Sequence, residues 1–176
     1  MSRLVFALVA ATVWPDSEVG LLASRVRESA ADGRWRPRRF DGGDGRRRAL
    51  VLALEFARAG AEYGEDPALL IAIARNETAF RTRRGRRGEL GLMQVAPSTA
   101  HELCPDAARL QHDVGYGVRC GAAALARWRR ACAARFERTP SDAEVFTAYV
   151  TGRCIQPGNY ARRVLDQLEA ACNGPR

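Results

Sequence analysis

From residue 46 onward, apolar positions recur at steps of three and four. This is the period of helices that bury one face. Leu50, Leu54, Ala57 and Ala61 form the first stripe, which Tyr63-Gly64 ends. Asp66 before Pro67 is a helix start. An aspartate side chain accepts from a free N–H of the first turn, and proline at the first helical position gives up only an N–H that has no intrahelical partner. That helix is predicted to run to about residue 80. Val118, Ala122, Leu125, Trp128, Cys132 and Phe136 make the stripe of a third helix, with Arg119, Arg127 and Arg130 on its other face. Ser141-Asp142-Ala143-Glu144 has capping-box spacing. It opens a fourth helix that reaches about Val150 and stops near Gly152. Tyr160, Val164, Leu168 and Ala171 define a last helix, terminated by Asn173-Gly174-Pro175. Strand signal is confined to residues 85–91, expected to form a short irregular turn. The pattern predicts a mostly α fold with no internal repeat.

The first 45 residues read differently. Met1-Ser2-Arg3 is a short positive start, and residues 4–14 are an apolar run of secretory type. Val9-Ala10-Ala11 is the best cleavage position, so residues 1–15 are expected to be a signal peptide. The alternative is a buried strand or helix at the domain edge. No cysteine precedes Cys104, so no N-terminal lipoprotein anchor is expected. Residues 16–45 are expected to be a linker or arm. Their Arg34-Trp35-Arg36-Pro37-Arg38-Arg39 and Asp41-Gly42-Gly43-Asp44-Gly45 are punctuation without period. A solvated tail is favoured there over an arm that binds nucleic acid or an anionic wall polymer.

Composition narrows the class. The chain has 176 residues, 47% hydrophobic and 27% charged. A domain of that size buries roughly 70% of its unfolded surface. No apolar run reaches the roughly 18 residues a spanning helix needs. The net charge of +8 favours anionic partners. All 28 basic residues are arginine and 31 residues are alanine. That skew fits a GC-rich coding bias and weakens arginine density as a functional signal. The five cysteines, Cys104, Cys120, Cys132, Cys154 and Cys172, form no CxxC pair. His101 and His112 do not complete a zinc pattern, so no structural zinc is predicted. An oxidised, exported protein is the better reading, with Cys104–Cys120 and Cys154–Cys172 as the short-loop pairing.

One stripe carries chemistry. Leu70, Ile73 and Glu77 share a helix face that should meet the core. A carboxyl group there loses hydration and sits at the negative end of the helix dipole. Both effects raise its pKa and suit it to donate a proton to a glycosidic oxygen. From spacing alone, a capping glutamate or one paired with Arg81 is the better reading.

The following residues change that balance. Glu77-Thr78-Ala79-Phe80 precedes Gly88-Glu89-Leu90-Gly91-Leu92-Met93-Gln94-Val95-Ala96-Pro97-Ser98-Thr99-Ala100, and Ala148-Tyr149-Val150-Thr151-Gly152 and Tyr160-Ala161-Arg162-Arg163-Val164 come later. This resembles the catalytic domain of soluble lytic transglycosylases, relatives of goose-type lysozyme. The likeness covers roughly residues 46–172. It implies a lysozyme-like single domain over 46–176 and a peptidoglycan lytic transglycosylase that forms 1,6-anhydromuramoyl ends. Glu77 would be the single general acid and base. Gly91, Leu92, Met93, Gln94, Tyr149 and Tyr160 would bind substrate. No metal or cofactor follows from that chemistry. On their own terms, glycines at 88 and 91 allow close backbone approach. Met93 offers a polarizable surface to sugar faces, and Gln94 offers a donor and an acceptor.

Four departures stand out. Thr78 replaces the family's serine, arginines fill residues 81–87, Glu89 replaces a small residue and Val150 replaces an asparagine. Glu89 is read as a partner of the neighbouring arginines rather than as a second acid. The expected partner is the peptidoglycan glycan strand, with cell-wall or secretion-system proteins as further candidates. Nucleic acid and stable membrane insertion are not expected. The expected location is periplasmic or secreted. The rival readings are a lysozyme-like hydrolase and a non-catalytic wall-binding or secretion-apparatus module.

Overall fold

The computed structural model describes residues 16–31 and 42–173. In chain order these form α1 (Asp16–Ala31), α2 (Gly42–Tyr63), α3 (Pro67–Thr78), α4 (Pro97–Leu103), a 3₁₀ turn (Ala107–Gln111), α5 (Val114–Phe136), α6 (Asp142–Thr151) and α7 (Asn159–Asn173). Among the described residues, β pairing is limited to isolated bridges of Leu90 with Arg84 and with Val95. The mostly α expectation holds.

α3 is the centre of the fold. Every residue from Pro67 to Ala74 is buried, as expected of a helix that is apolar all round. It packs against α1, α2, α5 and α7. Its start is the one read from sequence: Asp66 Oδ1 accepts from the Ala68 N–H at 2.8 Å. Its end comes two residues earlier than predicted. Ala79 and Phe80 take φ of 51° and 59°, left-handed conformations that side chains adopt reluctantly. The buried Phe80 ring, edge-on to Phe56 at 6.5 Å, holds the chain in that reversal.

α5 flanks this centre. Asp113 caps it, its side chain accepting from the Tyr116 N–H at 2.9 Å. Arg129 on α5 donates from Nε and Nη2 to the buried Glu65 carboxylate at 2.9 and 2.6 Å, and from Nη2 to Asp142 at 2.8 Å. That network ties the α2–α3 corner to α5 and to the first turn of α6. The predicted capping box of α6 is present: Ser141 Oγ accepts from Glu144 N, and Glu144 accepts from Ser141 N.

The stretch 16–45 needs correcting. Its first part is helical, and α1 buries Leu22, Ala23 and Val26 against α2 and α3. With Val19 they form a stripe at steps of three and four, hidden in the sequence by the punctuation that follows. α2 likewise begins at Gly42, inside the glycine-rich run. The signal-peptide expectation for 1–15 and the Arg34–Arg39 cluster fall outside the described residues.

The cysteine pairing is half as expected. Cys104 joins Cys120, but Cys132, not Cys172, joins Cys154. The preference for a short loop failed because the chain after α6 returns to α5, bringing the Cα atoms of Cys132 and Cys154 to 5.2 Å. Both bridges fasten neighbouring segments to α5: the end of α4 and the chain after α6.

Candidate active site

Glu77 lies in the last turn of α3, below Leu70 and Ile73, which are both fully buried. Its carboxyl group reaches a groove of about 510 Å³. The walls come from the 88–95 turn, the start of α4, the middle of α5 and the end of α6. Burial raises the Glu77 pKa from 4.5 to about 6, helped by the negative charge of Glu89; Arg83, the Tyr160 hydroxyl and Arg87 work against the rise. Desolvation outweighs nearby cations here because the acid sits at the end of a buried helix. The group is therefore poised to give and retake a proton near neutral pH.

The 88–95 turn is locked to the acid's helix. The Thr78 hydroxyl donates to Leu92 O at 2.8 Å and lies 3.1 Å from Ala74 O. Leu90 and Val95 exchange backbone hydrogen bonds of 2.9 and 3.0 Å. Gly91, at φ 76°, is buried where a Cβ would strike the Leu110 carbonyl oxygen, so no larger residue fits. Leu92 and Met93 are completely buried. Their side chains are core, and neither lines the groove. Met93 lies under Gly121 of α5, where a Cβ would come 2.5 Å from Met93 Cγ. The residue contributes instead through its carbonyl oxygen, which accepts from the Tyr149 hydroxyl at 2.8 Å.

Gln94, at φ 51°, lines the groove. Its amide nitrogen donates to Arg83 O at 3.1 Å and Gly91 O at 2.9 Å, so its donors hold the turn. Tyr149 lines the groove with Glu77. Burial, then the charge of Glu77, pushes its hydroxyl pKa up, so it stays neutral. Tyr160 is exposed and lies outside the groove lining, its ring 5.8 Å from that of Phe146. Burial, then the negative charge of Glu77, raises its pKa to about 12. The structure thus brings Glu77, Gln94 and Tyr149 together in the groove, leaves Tyr160 outside its lining but within reach of the Glu77 charge, and keeps Gly91, Leu92 and Met93 as the packed support beneath.

Glu89 lines the same groove. The Arg87 N–H and Nε donate to it at 3.0 and 3.1 Å. Its pKa is lowered, first by its own backbone N–H and then by those Arg87 contacts. It is a partner of an arginine, as expected, and also a fixed negative charge facing the acid.

Sequence reasoning missed two contributors. Trp128, read as core, is half-buried and forms groove wall with Arg127 and Glu102, which pair at 2.8 Å. Gly121 is the other: a glycine inside a helix weakens it, and here it leaves the room that the Met93 side chain fills. Among the described residues, no three His, Cys, Asp or Glu side chains converge to hold a metal ion.

The sequence model of the transglycosylase SLT domain matches residues 55–157. The chain belongs to this family. SLT domains are lytic transglycosylases, glycosidic-bond lyases that act on peptidoglycan. The match takes in Glu77, the 88–95 turn and Tyr149, and ends before Tyr160. No curated protein and no solved structure matches the chain. Among the described residues, no helix is long and apolar enough to cross a membrane.

Proposed function

We propose that the protein cleaves the β-1,4 bond between N-acetylmuramic acid and N-acetylglucosamine, with Glu77 as its single general acid and base. The observation that carries this reading is the half-buried Glu77 carboxyl in the groove, with its pKa raised to about 6. Protonated Glu77 gives its proton to the glycosidic oxygen as the C1–O bond breaks. The 2-acetamido group of the muramoyl residue stabilises the cationic carbon, so a second enzyme carboxylate is not required. Ionised Glu77 then takes the proton of the muramoyl 6-hydroxyl as that oxygen bonds to C1. The product is a 1,6-anhydromuramoyl end, no water is consumed, and the acid returns to its starting state.

Gln94, Tyr149 and Tyr160 bind sugar or orient the acid. Gly91, Leu92 and Met93 act through the backbone they fix. The catalytic domain runs from about residue 46 to the end, with α1 packed onto it as part of the same body. The two disulfides favour a periplasmic or secreted setting.

A second reading has one specific observation behind it. Glu89 holds an ionised carboxylate in the same groove, where it can orient a water and give hydrolysis. Mass spectrometry of fragments released from purified sacculi separates the two. Anhydro ends, lighter by one water and absent with Glu77→Gln, are expected. Reducing ends would mean a hydrolase, and cleavage by Glu77→Gln would remove Glu77 from its role.

A further inference from the structure

Between the end of α3 and the 88–95 turn, the chain carries Arg81, Arg83, Arg84, Arg86 and Arg87. The last four, with Glu77, Glu89 and Gln94, enclose a basin of about 440 Å³ that meets the main groove at Glu77. The loop is a built structure. Gly85 N–H donates to Glu89 O at 2.8 Å, and Gly91 N–H donates to Arg83 O at 2.9 Å. A Cβ at Gly85 would strike the side chains of Glu89 and Gln94.

The arginines are not equivalent. Arg83 Nη2 donates to Glu77 O at 2.7 Å, and Arg87 is paired with Glu89. Arg84 and Arg86 are exposed and meet no carboxylate among the described residues. Four guanidiniums against two carboxylates leave the basin positive even with Glu77 ionised. Like charges held in one concavity repel, and an arriving anion relieves that repulsion.

The substrate supplies anions at this place. The bond being cut belongs to a muramoyl residue, and the same sugar bears the lactyl-linked stem peptide. A stem that starts on the sugar held at Glu77 must leave the groove close to Glu77, where the basin opens. Stem peptides carry free carboxylates, which a guanidinium binds with two parallel hydrogen bonds. We propose that the arginine basin is a subsite for stem-peptide carboxylates, contacted by Arg84 and Arg86, and that it makes the enzyme select stem-bearing over bare glycan. This rests on the proposed cleavage at Glu77.

The test compares kcat/KM of the purified full chain on three substrates: uncrosslinked stem-bearing strands, the same strands stripped of stems, and strands whose stem carboxylates have been converted to amides. Wild type is expected to favour the first on the order of tenfold or more, since each well-made guanidinium–carboxylate contact is worth about one decade. Amidated strands should behave as stripped ones. In Arg84→Gln/Arg86→Gln the preference ratio should fall close to one. Equal use of all three substrates by wild type overturns the proposal, as does a ratio unchanged in the double variant. Should the double variant not fold, Arg86→Gln alone and the amidated strands, which need no variant, still decide. Glu77→Gln assayed on stripped strands reports on the catalytic reading separately: loss of cleavage there upholds it whatever the basin does.

Discussion

Replacing Glu77 by glutamine should stabilise the protein at alkaline pH while it removes activity. The folded protein holds the Glu77 carboxyl at about 6, against an ordinary 4.5. Protonation is thus favoured in the folded state, which binds more protons than the unfolded chain as pH rises through this window. Stability contributed by this site is lost between those two values. A difference of about 1.5 pH units is worth about 2 kcal/mol, fully expressed above pH 7 and shrinking to about 0.2 kcal/mol at pH 4. Glutamine has nearly the same shape and carries no charge to desolvate. Urea denaturation of both proteins should therefore show Glu77→Gln more stable by about 2 kcal/mol at pH 8 and nearly equal at pH 4. For a chain of this size, the pH 8 gain corresponds to a rise in Tm of about 4–8 °C. The reasoning is refuted if the gain is the same at both pH values, or if the glutamine variant is the less stable at pH 8.

Three further outcomes follow from the contacts. Glu89→Gln removes the charge that supports the raised pKa of Glu77, so the alkaline limb of kcat against pH should move to lower pH; an unmoved limb would mean burial acts alone. Gly121→Ala places a methyl 2.5 and 2.6 Å from Met93 Cγ and Cβ. It should cost about 1–3 kcal/mol in denaturation and lower kcat by shifting the carbonyl that holds Tyr149, whereas full stability would show that Met93 has room to move. Arg129→Met strands the buried Glu65 carboxylate, which should cost about 3–5 kcal/mol; adding Glu65→Gln should recover part of that loss, and no recovery would locate the cost elsewhere in the network.

Much of this protein is encoded locally. Asp66-Pro67, the Ser141–Glu144 box and the stripe of α5 act within a turn or two of chain and placed those helices; α2 was also placed, but its buried face is Ala49, Leu52, Ala53 and Phe56, while Leu50 and Ala61 of the expected stripe are exposed. The face shared by Leu70, Ile73 and Glu77 is also local, and with it came the half-buried acid. The Gly-Leu-Met-Gln run marked the right turn but not what each residue does there. An alternating apolar run does not tell whether a side chain or its carbonyl faces the groove. That was decided when α5, through Gly121, packed onto Met93 in the core and left the Met93 carbonyl to Tyr149. Tertiary packing likewise decided that α1 is buried, that Cys132 meets Cys154 and that Trp128 walls the groove. It also fixed Glu89 and the arginine loop around Glu77. Each of these is a meeting of segments distant in sequence or of side chains whose direction the fold sets. Periodicity states which residues share a face; only the assembled helices state what that face meets.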